Sequence, residues 1–436
     1  NYQGSIELIK QNEAGEPLSG AKFELRKTDE ENKLIAEITS DKDGKIHYEG
    51  LAPGSYELVE VESLEGYILN TEPIAFNIEA SAEGRPQVLN LGAFVNYQGS
   101  IALIKENEGG RGLDGVQFEL RKLDEQNRLI ATLLSDKDGK IIYSGLAPGQ
   151  YELTEIKAQD GYILNTEPIA FTIDASAAGR PEVLELGQFV NDQGGIELVK
   201  QDESGRGLEG AKFRIIKTDE QNKIIDDITA GKDGKVQYEG LAPGHYTLLE
   251  VEAPAGYLVN TQGISFEIPE AAEGKVQTLD LGTLTDYTGR LEILKTDENG
   301  KPLAGAVFKI LDESGSVVRD QLTTDEQGYV HVTGLAPGQY KVVETKAPQG
   351  YQIDTTPAVF EIAAKAQGEP QAVQIKAVNK KERVEYHVKM PVGRGASPSG
   401  LSPYTGLDGS SAVGVFAVLA VLAGVAAFAV KRKTDQ

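Results

Sequence analysis

Gly50-Leu51-Ala52-Pro53-Gly54-Ser55-Tyr56-Glu57-Leu58-Val59-Glu60 decides the fold. A Pro-Gly turn leads into an alternating strand, with Tyr56, Leu58 and Glu60 on one face and Glu57 and Val59 on the other. The turn returns at Gly145, Gly240 and Gly334, followed by Tyr151-Leu153-Glu155, Tyr246-Leu248-Glu250 and Tyr340-Val342-Glu344 in the same alternation. Working outward, Gly4-Ser5-Ile6 recurs as Gly99-Ser100-Ile101, Gly194-Gly195-Ile196 and Gly289-Arg290-Leu291, in steps of 95 residues. Gly66-Tyr67 recurs as Gly161-Tyr162, Gly256-Tyr257 and Gly350-Tyr351. The chain therefore holds four copies of one unit. A period this long exceeds the ~20–50 residues of solenoid repeats, so each copy is large enough to be a domain.

Within a copy the signals are short β-strands, such as Ile6-Glu7-Leu8, Lys22-Phe23-Glu24-Leu25 and Phe76-Asn77-Ile78. Asp43-Gly44 and Ala14-Gly15 punctuate them. The expected fold class is all-β: four tandem β-sandwich domains in a rod, followed by one C-terminal transmembrane helix. The predicted organisation is 1–4 as the end of an earlier repeat, then repeats 5–96, 97–191, 192–286 and 287–379, a linker 380–401, and a terminal segment 402–436. Strands of ~10 residues predict roughly 35 Å per unit and a rod of about 140 Å.

Composition narrows the chemistry. The 436 residues include 43 Lys and Arg against 67 Asp and Glu, for a net charge of −24. That balance argues against nucleic acid as a partner. With no Cys there are no disulfides, thiolate metal sites or Cys nucleophiles, and four scattered His offer little for a metal or acid–base centre. No metal and no cofactor are expected. Asp41-Lys42-Asp43-Gly44 has its Gly too early for a calcium loop and reads as a turn. No Gly-x-Ser-x-Gly elbow with a partnered His is present, so no enzyme is expected beyond autocatalysis.

Polar residues continue the apolar rows. Ile6, Leu8 and Lys10 share a face, as do Ile101-Leu103-Lys105, Ile196-Leu198-Lys200 and Leu291-Ile293-Lys295. Glu60, Glu155, Glu250 and Glu344 end the corresponding rows of the later strand. The last strand of each copy ends in Asn96, Asn191, Asp286 or Asn379. A buried ammonium or carboxylate alone is expensive, and together each relieves the other. One reading is a buried Lys–Glu pair with a hydrogen-bonded Asn. The other is chemical. Burial favours neutral amine and neutral acid, a neutral amine is a nucleophile, and the acid shuttles the proton. The lysine then displaces ammonia from Asn and leaves an isopeptide bond.

Each unit resembles the Cna-B, or SpaA-type, domain of Gram-positive surface adhesins and pilins. The resemblance is carried by Leu8-Ile9-Lys10, Pro17-Leu18-Ser19-Gly20-Ala21-Lys22-Phe23, Gly50 to Tyr56, and the stretch from Tyr56 through Glu60 to Gly66-Tyr67. It implies a prealbumin-like sandwich with a Lys–Asn isopeptide bond assisted by Glu. The implied trios are Lys10/Glu60/Asn96, Lys105/Glu155/Asn191 and Lys295/Glu344/Asn379. Copy three offers Lys200/Glu250/Asp286, where the bond forms by loss of water or a salt bridge remains. Pro254 and Pro348 of the family pattern are missing from copies one and two.

The C-terminus adds a second resemblance. Residues 412–430 are uncharged and apolar, long enough to span a bilayer, and Lys431-Arg432-Lys433 follows on the expected cytoplasmic side. With Ser402-Pro403-Tyr404-Thr405-Gly406 ahead of them, they resemble a cell-wall sorting signal of the LPxTG type, Ser402 standing where Leu is usual. The resemblance implies a sortase that cuts after Thr405 and joins it to peptidoglycan. The implied localisation is extracellular and wall-anchored, through a transient membrane precursor. Asn1 occupies the register of Asn96, so further repeats and a head domain are expected upstream. The expected function is a stalk that presents an upstream adhesive region. The alternatives are a basal or minor pilus subunit, although no pilin-type YPKN lysine motif is present, and repeats that bind a host matrix protein directly.

Overall fold

The computed structural model describes residues 3–80 and 88–383. The first repeat contains β1 (Gly4–Asn12), β2 (Lys22–Lys27), β3 (Lys33–Thr39), β4 (Lys45–Leu51), β5 (Gly54–Glu62), β6 (Leu69–Asn70), β7 (Ile74–Ile78) and β8 (Val88–Asn96). One sheet has the order β4-β1-β8 and the facing sheet the order β3-β2-β5-β7. Period-two alternation supplies the inner faces. Ile6, Leu8 and Ile46 from the first sheet meet Phe23, Leu25 and Leu58 from the second, all fully buried. Tyr56 stacks on Phe76 with ring centroids 5.5 Å apart, and its hydroxyl donates to Ala52 O at 2.8 Å. That bond ties the Pro-Gly turn to the strand it starts. Gly54 at φ +150° leaves no room for a Cβ, which would lie 2.5 Å from Lys27 Cε.

β1 and β8 are parallel neighbours, with Lys10 opposite Phe94 and Asn12 opposite Asn96. Parallel strands need a long crossover, and here nearly the whole repeat is that crossover. Both ends of the domain therefore lie side by side in one sheet. The other three repeats show the same two sheets, with first strands Gly99–Asn107, Gly194–Asp202 and Gly289–Asp297 beside last strands Leu184–Asn191, Leu279–Asp286 and Val373–Asn379. Four separate hydrophobic clusters make four cores.

Successive repeats are joined by backbone pairing, which the reading of independent units did not foresee. β6 pairs in parallel with Ser176–Ala177 of the second repeat. Leu164–Asn165 pairs with Ala271–Ala272, and Val259–Asn260 with Lys365–Ala366. Ile68, just before β6, is buried in the core of the second repeat; Ile163 and Leu258 enter the third and fourth in the same way. The fourth repeat has Gln352-Ile353-Asp354 at this place, and all three are exposed.

Among the described residues no helix is long and apolar enough to cross a membrane. The predicted span 412–430, the sorting pentapeptide Ser402–Gly406 and the proposed acceptor Asn1 lie outside the described residues.

Candidate functional site: four buried Lys–Glu–Asx centres

Each repeat brings its predicted trio together in the core. Lys10 and Asn96 come from neighbouring strands of one sheet, and Glu60 reaches them from β5 across the sandwich. All twelve predicted residues are buried, from Lys10, Glu60 and Asn96 through Lys295, Glu344 and Asn379. The lysines are held on their main chain by the glycine turn, Asp-Gly in the first three repeats and Gln327-Gly328 in the fourth. Lys10 N donates to Gly44 O at 2.7 Å, and Lys10 O accepts from Leu18 N at 2.9 Å. Gly44 has φ +72°, and a Cβ there would lie 2.3 Å from Lys10 O. The Asp-Gly turn thus serves to seat the lysine. Asp41 Oδ1 is spent on the N–H groups of Asp43 and Lys45 at 2.9 and 2.7 Å.

The glutamate stands between amine and amide. In the first repeat Lys10 Nζ is 3.6 Å from Glu60 Oε1, and Asn96 Nδ2 donates to Glu60 Oε2 at 2.7 Å. In the second, Lys105 Nζ is 3.8 Å and Asn191 Nδ2 3.1 Å from Glu155 Oε2. In the fourth, Lys295 Nζ is 3.4 Å and Asn379 Nδ2 2.9 Å from Glu344 Oε2. The amide nitrogen also donates to Ile68 O at 2.9 Å, Ile163 O at 2.8 Å and Gln352 O at 2.8 Å. In the third repeat Lys200 Nζ is 3.4 Å from Glu250 Oε1 and bonds directly to Asp286.

Burial sets the protonation. It pushes Lys10 and Lys105 down to about 8 and lowers Lys295, each against the attraction of its glutamate. It raises Glu60, pushes Glu155 up to about 7 and Glu250 up to about 8, and raises Asp286. Glu155 Oε1 and Asn191 Oδ1 have no hydrogen-bond partner, and neither do Glu344 Oε1 and Asn379 Oδ1. Two buried acceptors without a donor are costly. In the second repeat, where burial raises Glu155 and lowers Lys105, moving the proton from the amine to the carboxyl relieves both charges and supplies a donor.

Two features were missed in the sequence. Asn70 N donates to Glu60 Oε2 at 3.0 Å, and Asn260 N to Glu250 Oε2 at 2.6 Å. The signal was available, since Leu69-Asn70-Thr71 recurs at 164–166 and as Val259-Asn260-Thr261. Ser63 Oγ lies 3.2 Å from Asn96 Oδ1 and donates to it, and only the first repeat has a hydroxyl at this place.

The four units match the SpaA prealbumin-like fold domain over residues 4–90, 99–183, 194–281 and 289–379. The chain is similar to serine-aspartate repeat-containing protein D of Staphylococcus aureus, 25% identical over 73% of this chain and 28% of that protein. It is also similar to serine-aspartate repeat-containing protein F of Staphylococcus epidermidis, 21% identical over 80% of this chain and 23% of that protein. The chain thus spans about a quarter of the length of these curated relatives. Among solved structures it resembles the Bacillus anthracis TIE protein, 24% identical with a TM-score of 0.36, covering 84% of this chain and 69% of that one. A streptococcal ancillary pilin is 19% identical with a TM-score of 0.28, covering 66% of this chain and 99% of that one. With family matches over most of its length, the chain belongs to the SpaA prealbumin-like domain family.

Proposed function

We propose that this chain, a run of four SpaA-type domains, is the stalk of a wall-anchored surface protein, and that its repeats close internal isopeptide bonds. The observation that carries the chemistry is the same buried Lys–Glu–Asx centre in every repeat. The Lys10 Nζ lone pair attacks Asn96 Cγ. The proton leaving Nζ passes to Glu60 and from Glu60 to Nδ2, so the new Nζ–Cγ bond replaces the Cγ–Nδ2 bond and ammonia departs. Glu60 is placed for this, with one oxygen toward the amine and the other on the leaving nitrogen. The reactants are held in a dry, fixed site, which supplies much of the rate. In the third repeat the amine attacks the Asp286 carboxylic acid and water departs.

The bond joins the first and last strands, and closing a loop of nearly a whole repeat is worth roughly 4–5 kcal/mol. Tension then passes through a covalent tie between neighbouring strands and leaves the sandwich folded. Sorting through Thr405 by a sortase, with 412–430 as the transient membrane span, would fix the stalk to peptidoglycan and lift an upstream adhesive region from the cell. Intact-mass spectrometry tests the chemistry. The chain is expected to be lighter than its sequence by three ammonia molecules and one water. A mass equal to the sequence would sink the reading. For the anchor, peptidoglycan fragments bound through Thr405 are expected in muramidase digests. Covalent ladders in such digests would instead mark a pilus subunit.

A further inference from the structure

Each centre in the first three repeats shares a wall with the joint to the following repeat. In the first repeat that wall is Ile68–Asn70. Its inner side builds the centre: Ile68 O accepts from the Asn96 amide, Asn70 N donates to Glu60, and Asn70 Nδ2 donates to Val95 O at 3.2 Å, one residue before the acceptor. Its outer side builds the joint. The Ile68 side chain enters the core of the second repeat. Leu69 N and Thr71 N donate to Ala175 O and Ala177 O at 3.0 and 2.8 Å, and Gly179 N donates to Asn70 Oδ1 at 2.9 Å. Asn165 and Asn260 repeat the arrangement, accepting from Gly274 N at 3.1 Å and Gly368 N at 3.4 Å.

We propose that Ile68–Asn70, Ile163–Asn165 and Leu258–Asn260 are positioning segments through which seating of the next repeat fixes the crosslink centre of the one before it, so that bond formation in a repeat is faster once its joint has closed. This rests on the isopeptide chemistry above. The physical reason is local. A two-residue strand cannot hold itself, and its pairing partner lies in the neighbouring domain. Without that partner the carbonyl on the amide and the N–H on the glutamate are held only by contacts such as Ile68 N to Tyr97 O and Asn70 Nδ2 to Val95 O, and small displacements of a reacting pair cost rate steeply. The fourth repeat is the internal contrast. Gln352 O and Asp354 N make the same inner contacts, at 2.8 and 3.0 Å, with no following repeat in the chain's described residues. Asp354 Oδ1 accepts from Thr356 N at 2.9 Å, as Asn70 Oδ1 does from Glu72 N at 3.0 Å, but among the described residues it has no counterpart of the bond from Gly179 N.

The test follows crosslinking in the full chain during cell-free synthesis, with acid quenching and peptide mass spectrometry resolving each linkage. Gly179→Val acts from the second repeat, where φ +73° and the Glu72 carboxylate beside it exclude a branched side chain. Ile68→Gln, which installs the polar residue of the fourth repeat, acts from the first. Hydrogen exchange at Leu69 and Thr71 reports whether the joint has opened. Both variants are expected to slow the Lys10–Asn96 linkage roughly tenfold while the linkages of the third and fourth repeats keep their rates. Asn70→Asp, which retains the oxygen that Gly179 N–H requires, is expected to keep more of the rate than Asn70→Ala. An opened joint with an unchanged Lys10–Asn96 rate overturns the proposal, as does equal slowing of every repeat. An unsubstituted chain without any linkage overturns the isopeptide reading itself, and the coupling falls with it.

Discussion

The second and third repeats share a lysine and a glutamate and differ at the acceptor, Asn191 against Asp286. In the second, Lys105 Nζ donates to Phe189 O at 2.9 Å and stays 3.8 Å from Glu155. In the third, Lys200 turns to Asp286, and Glu250 has the same aspartate as a carboxyl neighbour. Exchanging one amide nitrogen for an oxygen gives the lysine a second acid and the glutamate a carboxyl neighbour. A neutral acceptor leaves the buried amine one acid to answer it, so proton transfer between the two relieves both. An acidic acceptor can neutralise the amine directly, and the same charge makes it a poor electrophile until it is protonated.

The largest effect that would break this contrast is removal of the glutamate. Glu155→Ala is expected to abolish the second linkage and leave Lys105 unpaired in the core, which costs about 3–5 kcal/mol beyond the lost crosslink. Glu250→Ala leaves Lys200 its contact with Asp286, and the expected destabilisation is less than half as large. Urea unfolding of the two full-length variants, with intact masses, checks both. Equal losses would show that Asp286 does not act as a counter-ion. The next effect is on the leaving group. Asp286→Asn is expected to turn the third repeat's deficit from one water into one ammonia, and Asn191→Asp to do the reverse in the second. Peptide masses across each linkage read this directly.

The trios were legible in the sequence because they obey the simplest rule of a strand. Lys10 follows Ile6 and Leu8 on one face, Glu60 follows Tyr56 and Leu58, and a one-residue slip would expose both rows. Four copies fixed the register. The joint was not legible in that way. Ile68 reads as an ordinary apolar residue after a Gly-Tyr turn, and nothing in its own repeat shows that the core it enters belongs to the next one. Asn70 reads as a turn residue, since its side chain bonds to a glycine 109 positions away. Ser63 escaped for the opposite reason. Repetition revealed the other residues, and Ser63 is a departure from it.

A smaller effect separates the two acceptors by pH. In the second repeat the productive state carries one proton between amine and acid. Below about 7 Glu155 is protonated while Lys105 keeps its charge, and above about 8 both have lost their protons. Crosslinking there is expected to be fastest near pH 7–8 and to fall on both sides. In the third repeat Asp286 must itself be protonated. Burial raises its pKa, and the protonated fraction still declines as pH rises. The third linkage is therefore expected to form faster at mildly acidic pH than at alkaline pH. Time courses of both linkages in one chain across this range test the difference, and superimposable profiles would remove the distinction between the acceptors.

The smallest expected effect sharpens the contrast within the asparagine class. Asn96 Oδ1 accepts from Ser63, whereas Asn191 Oδ1 has no partner and Ala158 stands where the serine would be. As the amine adds to Asn96 Cγ, negative charge grows on Oδ1, and a donor already aimed at it stabilises that state more than the ground state. The bond is 3.2 Å long and comes from a neutral hydroxyl, so its effect should fall below the hundredfold typical of a strong oxyanion donor. Ser63→Ala is expected to slow the Lys10–Asn96 linkage roughly tenfold or less, and Ala158→Ser to speed the Lys105–Asn191 linkage. Both rates can be read in the same chain, with the fourth repeat as the unaltered reference. If Ser63→Ala leaves the first rate unchanged, the hydroxyl only satisfies the amide oxygen and takes no part in the reaction.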